Sequence, residues 1–332
     1  MNAIVINKFG EASEVFENIN APVPVPGDEE VLIKVMATSV NPIDIHLRKG
    51  NMPALIPAFP AILHGDVAGI VEAIGANVTG FKKGESVYGW TGGFSGSGGA
   101  LAEFMVADHR LLAKVPANIG YREAAAVPLV ALTAYEAIFE RARVRPAQKV
   151  LIYGGIGGVG HMGVQFAKIA GAEVYAVVTD DSHMPAVQNL GADYAINYHQ
   201  MSTADLVQRY TGGAGFDVVF DTVGDQNLTN SFQAVKAHGT IVTTIALVQA
   251  DLTPLHLKAV NFHVVFLAIP FAYHLAELKK KFGENLGIIS EWLQQGKIKV
   301  LTDTSRFSFE DVPAAHEYAE AGKNTGKLII SR

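Results

Sequence analysis

The chain has 332 residues, 49% of them hydrophobic and 17% charged, with a net charge of −6, 33 glycines and no cysteine. That length suits two domains at roughly 150 residues each, and the composition is that of a soluble globular protein. It excludes disulfides, thiol nucleophiles and thiolate metal ligands, offers nucleic acid no clustered basic face, and contains no run of the ~20 apolar residues that span a bilayer.

In chain order, Met1–Gly10 lacks the basic region and apolar core of a secretory signal, so the cytoplasm is the expected compartment. The first ~120 residues read as short β segments between turn residues. Glu30–Thr38 is rich in β-branched residues and closes at Asn41-Pro42. Ala68–Ile74 and Glu85–Trp90 follow, with Gly75, Gly80 and Gly84 marking turns, and Gly92–Gly99 reads as a flexible loop.

From Lys149 the pattern changes to alternating strands and helices. The expected strands are Lys149–Tyr153, Glu173–Thr179, Tyr194–Ile196, Asp217–Phe220, Thr240–Ile245 and His263–Ile269. The expected helices are His161–Ala170, Thr203–Tyr210, Asn227–Ala237 and Ala272–Trp292, the last carrying Lys279–Lys281 on a solvated face. Such alternation predicts βαβ units and a parallel sheet covered on both faces. Val312–Ala321 reads as a helix and Lys327–Ile330 as a closing strand, so the tail is expected to return to the first domain. The apolar segment Phe262–Ile269 is expected at a sheet edge, where it invites pairing with a second copy in a homodimer.

The sharpest local signal is Gly155-x-Gly157-x-x-Gly160. It follows an apolar strand and opens an amphipathic helix, the context a dinucleotide turn requires. Glycines let the backbone approach a pyrophosphate, and a helix N-terminus offers unpaired N–H groups and the positive end of its dipole. Cofactor choice rests on the end of the next strand. Asp180 and Asp181 suit the ribose 2′-hydroxyl of NADH, whereas Thr179, Ser182 and His183 suit the 2′-phosphate of NADPH.

Several ordered blocks together resemble the zinc-independent quinone oxidoreductases of the medium-chain dehydrogenase/reductase superfamily. They are Ser39–Asp44, His64–Gly75, Gly89 with its glycine loop, Leu132–Tyr135, Gly157–Gly160, Gly191–Asp193 with Asn197-Tyr198, Phe216–Gly224 and Thr325–Ile329. The resemblance implies an α/β protein: a GroES-like, mainly β catalytic domain over 1–124 and 269–332, and a Rossmann doubly wound parallel sheet over 125–268, with NAD(P)H bound in the cleft. It implies that Asn41 and Asp44 form the polar pair near the nicotinamide, with His46 where the family often has a tyrosine. It assigns cofactor contacts to Thr133, Gly155, Gly157, Gly158, Val159, Gly160, Thr179, Ser182, His183, Tyr198, Ile245, Ala246 and Asn324. Tyr198 favours NADPH, with NADH remaining open.

Zinc-dependent relatives use Cys and His ligands, but the corresponding positions here are Asn41 and Gly65, so no metal is expected. Without a Lewis acid, the fitting acceptors are electron-poor: quinones, or the β-carbon of an enone. Asn41 is the candidate donor to the acceptor oxygen, with His46, Tyr88 or solvent as proton source. Two alternatives stay open: reduction of enoyl thioesters or haloacrylates, and a non-catalytic NADPH-binding regulatory protein.

Overall fold

The computed structural model describes residues 1–332. The strands, in chain order, are β1 (Asn2–Ile6), β2 (Phe16–Asn20), β3 (Glu30–Ser39), β4 (Asp66–Ile74), β5 (Ser86–Trp90), β6 (Phe104–Asp108) and β7 (Leu112–Lys114). They continue as β8 (Lys149–Tyr153), β9 (Glu173–Val178), β10 (Tyr194–Asn197), β11 (Phe216–Asp221), β12 (Val235–Thr243), β13 (Asn261–Val264) and β14 (Ile329–Ser331). The chain divides into two compact units, Met1–Leu129 with Ala268–Arg332, and Val130–Leu267.

The first unit is an antiparallel sheet in the order β14-β3-β4-β5-β7, with β6 also pairing β3 and a separate β1–β2 pair. Its core is aliphatic: Val31, Ile33 and Val35 of β3 meet Val67 and Val71 of β4, Val87 of β5 and Met105 of β6. The tail does return here, Ile329 pairing with Ser39 and Ser331 with Ala37. Helix Pro42–Lys49 starts immediately beyond β3, with Pro42 in its first turn where a missing N–H costs nothing, and ends at Gly50 in the left-handed region.

The second unit is a six-stranded sheet, β10-β9-β8-β11-β12-β13, parallel throughout. This is the doubly wound order, and the direction of winding reverses between β8 and β11. Near-continuous burial of β8, β9 and β11 is what a sheet covered on both faces demands. Helix Gly158–Ile169 follows β8, and helix Pro128–Tyr135 runs into a wider π-helical turn over Glu136–Arg141. No helix is long and apolar enough to cross a membrane.

Three expected elements differ. The helix at Asn227 ends at Ala234, because Val235 already pairs with Phe216 and begins β12, which ends at Thr243 rather than Ile245. The apolar run His263–Ile269 is a strand only as far as Val264; Ile269–Ala272 is a helical turn. A continuous apolar run has no period to separate strand from buried helix. The long helix begins at Ala276 rather than Ala272, after His274 takes a positive φ.

Candidate active site

The glycine turn lies directly after β8, at the strand ends where the sheet reverses its winding. Gly154 has φ +73°, and its carbonyl accepts from the Gly157 amide at 2.9 Å, while the Gly155 amide donates to Val177 of β9 at 2.9 Å. Gly157 caps helix Gly158–Ile169, whose first turn holds Gly158, Val159 and Gly160. A Cβ on Gly160 would stand 2.0 Å from the Gly154 carbonyl oxygen, so only glycine lets the helix begin this close to the strand. The turn therefore fits a dinucleotide pyrophosphate: a tight backbone cradle facing the positive end of a helix.

Beyond β9, Thr179 is exposed, and Asp180 accepts from the Ser182 amide at 2.8 Å; hydrogen bonds from the Ser182 side chain and then from its amide lower the Asp180 pKa. Asp181 accepts from Asn197 at 2.8 Å and from Gln200. Both carboxylates are thus engaged locally. Tyr198 is 50% exposed and its ring lies 3.9 Å from that of His199; His183 is half-buried. Ile245 and Ala246, just past β12, are half-buried, and the Ile245 amide donates to Thr243 Oγ1. Thr133 is buried in helix Pro128–Tyr135. Beside the glycine turn, Asp221 accepts from the Val223 and Gly224 amides and from Ser231, stiffening the loop after β11.

In the first unit, Asn41 caps helix Pro42–Lys49 and Asp44 lies in its first turn, while His46 falls in its last turn. Asp44 Oδ2 accepts from the Asn41 amide at 2.8 Å, as an N3 acid does in a capping box. Burial, followed by the nearby Asp66 carboxylate, raises the Asp44 pKa to about 7, and its Oδ1 has no hydrogen-bond partner. The Asn41 side chain, 1% exposed, donates from Nδ2 to Asp66 Oδ2 at 2.8 Å and accepts at Oδ1 from Lys327 Nζ at 2.5 Å. His46 is half-buried, with Asn51 Nδ2 donating to its Nδ1 at 2.9 Å, which leaves the ring hydrogen on Nε2. Asn324 donates to the Gly326 carbonyl, shaping the turn before Lys327.

Sequence reasoning missed most of what surrounds Asn41. Asp66 also accepts from Ser39 Oγ at 2.6 Å and from the Leu129 amide at 2.8 Å. Lys327 was legible as a lysine inside an apolar closing strand, which needs a partner once buried. His64 is fully buried between Thr38 Oγ1 at 3.2 Å and His316 Nε2 at 2.9 Å. Because Thr38 donates to the Asp66 carbonyl at 2.6 Å, His64 must donate from Nδ1 and accept at Nε2, so His316 carries its hydrogen on Nε2. Tyr88 is buried with its hydroxyl on Ser290 and the Leu286 carbonyl, and burial pushes its pKa up, a packing arrangement rather than that of a proton source.

An alcohol dehydrogenase GroES-like domain matches residues 27–117, and a zinc-binding dehydrogenase domain matches residues 190–330. The chain is 32% identical over 99% of its length to the 2-methylene-furan-3-one reductase of Solanum lycopersicum, covering 79% of that protein. It is similar to the structure of an alcohol dehydrogenase superfamily protein from Novosphingobium aromaticivorans, with a TM-score of 0.93, 36% identity, and 100% and 99% of the two chains covered. It also superposes on the quinone oxidoreductase of Escherichia coli complexed with NADPH, with a TM-score of 0.87, 25% identity and 100% of both chains covered.

Proposed function

Because the chain belongs to the medium-chain dehydrogenase/reductase superfamily, in the branch of quinone oxidoreductases and enone reductases, we propose that it is a zinc-independent, NADPH-dependent reductase of quinones or α,β-unsaturated carbonyls. The observation that carries this reading is the glycine turn at the reversal of the parallel sheet, built to hold a dinucleotide.

NADPH is favoured over NADH by Tyr198, which is half exposed and stands where the family places a tyrosine against the 2′-phosphate, while Asp180 and Asp181 already accept hydrogen bonds from neighbouring residues. Thr179, Ser182, His183 and Tyr198 then serve the 2′-phosphate, and the E. coli relative was solved with NADPH. When bound, the cofactor supplies a hydride. Thr133, Ile245, Ala246 and Asn324 are assigned to holding it in place. Asn41 and Asp44 hold the start of helix Pro42–Lys49 in one geometry, and His46, more exposed than either, offers its Nε2–H as a hydrogen-bond donor to the acceptor oxygen while solvent supplies the proton.

Zinc independence is supported by the donor set. The chain has no cysteine, both ring nitrogens of His64 are taken by Thr38 and His316, and Asp66 accepts from three protein donors through its side chain. The exposed apolar edge at β13 supports a homodimer.

The test is oxidation of NADPH and NADH by chelator-treated protein with 1,4-benzoquinone, 9,10-phenanthrenequinone and a short 2-alkenal. NADPH turnover that survives chelation is expected. Cofactor binding without turnover of any acceptor would defeat the reductase reading and favour a non-catalytic NADPH-binding role.

A further inference from the structure

We propose that Lys327 is a positioning residue of this reductase: its buried ammonium locks the Asn41 amide in one orientation and so fixes the turn that starts helix Pro42–Lys49. The inference rests on the functional reading above, in which that turn belongs to the reacting end of the site.

Lys327 stands immediately before the apolar residues Leu328–Ile330, which lead into β14, and is 3% exposed. A cation that deep is stable only with anionic or strongly polar partners. It has three: the Val40 carbonyl at 2.9 Å, Asn41 Oδ1 at 2.5 Å and Asp66 Oδ2 at 3.7 Å. An ammonium only donates and a carboxylate only accepts. The Asn41 amide, between them, must therefore turn its oxygen to Lys327 and its nitrogen to Asp66. Neither flip nor free rotation is compatible with both neighbours.

The ammonium is delivered by a stiff backbone. The Lys327 amide donates to the Leu301 carbonyl and its carbonyl accepts from the Asp303 amide, both at 2.9 Å. Gly326, with φ +72°, packs so closely on Leu301 that a Cβ would come within 2.4 Å of its carbonyl oxygen. Asn41 then passes the constraint on, because its backbone N–H donates to Asp44 Oδ2. The charged and titratable groups facing Asp44 are Asp66 of β4 and Lys327 itself, the first raising and the second lowering its pKa. Loss of the ammonium must therefore move Asp44 to still higher pKa as well as release the amide.

The test uses the full-length enzyme with Lys327→Met and Lys327→Gln, the latter keeping a donor for Asn41 Oδ1 and the Val40 carbonyl. NADPH Kd is read by fluorescence titration, kcat with 1,4-benzoquinone across pH, and the Asn41 side-chain amide by selective 15N-asparagine labelling, assigned with Asn41→Asp. For Lys327→Met we expect kcat to fall about tenfold to hundredfold, as small misplacements at a reacting centre do, with Kd for NADPH within about twofold. The Asn41 amide signals should shift, any inflection in kcat that follows Asp44 should move to higher pH, and Lys327→Gln should recover most of kcat and the parent amide signals. Adding Asn41→Ala to Lys327→Met should cost nothing more than the worse single change.

An unaltered Asn41 amide in Lys327→Met, or losses from Asn41→Ala and Lys327→Met that multiply, overturns the proposal. Should Lys327→Met not fold, Lys327→Gln decides alone: parent-like amide signals and kcat support the lock, and displaced signals with full kcat sink it. If the parent protein binds NADPH but reduces no acceptor, the functional reading fails, and the amide spectrum of the variants still judges the lock.

Discussion

Asp44, His64 and His316 are buried groups whose protonation differs between the folded and unfolded chain, and their effects oppose one another. Asp44 has a pKa of about 7 in the fold, raised first by burial and then by Asp66, against roughly 4 when unfolded. Its contribution favours the fold fully below about pH 4 and is lost as pH rises through about 7. The histidines run the other way. His316 is pushed down to about 3 by burial and then by the Arg48 charge, and His64 well below its ordinary value by burial and then by His316. Their contribution is complete above about pH 6.5 and is lost as pH falls through the folded values. Between about pH 4 and 6.5, two imidazoles outweigh one carboxyl, so these groups make stability rise with pH. Asp44→Asn removes the opposing group and should steepen that rise, read as urea midpoints at several pH values; an equal or shallower rise contradicts the assignment. At the glycine turn, Gly160→Ala places a methyl against the Gly154 carbonyl and should weaken NADPH binding at least about tenfold in a titration, one lost close approach being worth over 1.4 kcal/mol. Parent-like affinity in that variant would show that the turn tolerates a Cβ and is not what grips the pyrophosphate.

Helix termini decide several boundaries that periodicity left loose. Helix Asn227–Ala234 gives way at Val235 to β12, and the carbonyls at its end are collected from outside the helix. Lys258 Nζ donates to the carbonyls of Phe232, Gln233 and Val235, all within 2.9 Å. One ammonium thus satisfies groups that would otherwise lack partners and sits at the negative end of the helix dipole. Lys258→Met should lower unfolding free energy by about 1–3 kcal/mol, the scale of charged hydrogen bonds, with NADPH affinity unchanged. Equilibrium urea unfolding measures it; a loss below about 0.5 kcal/mol would mean that water replaces the lysine without cost.

At the scale of the molecule, the parallel sheet ends in β13, whose outer edge is unpaired, with Val264 44% exposed and Phe266 of the following segment 37% exposed. Closed symmetric pairing of two such edges is the simplest way to satisfy them. Light scattering at micromolar concentration should give twice the chain mass, and Val264→Asp should shift it toward the monomer while sparing NADPH binding. A strict monomer in the parent protein removes the dimer.

Much of this was determined by the sequence itself. Lys149–Tyr153, the glycine spacing 155-157-160 and the helix after them specify a dinucleotide turn because each is a local requirement of backbone geometry and helix electrostatics. The strand Glu30–Ser39 and the alternation that builds the parallel sheet are equally local, resting on β-branched content and period. The clustering of Lys327, Asp66, Ser39 and Asn41 was not local: Lys327 and Asn41 are 286 positions apart. Nor was the pairing of His64 with His316, 252 positions apart. Side-chain hydrogen bonds across such separations depend on which strands become neighbours, and only the closing of β14 onto β3 brings Lys327 to the turn after β3. Periodicity carries the path of the backbone; the charges that meet inside it are decided by the tertiary fold, because burial forces each to find whichever partner the sheet order supplies.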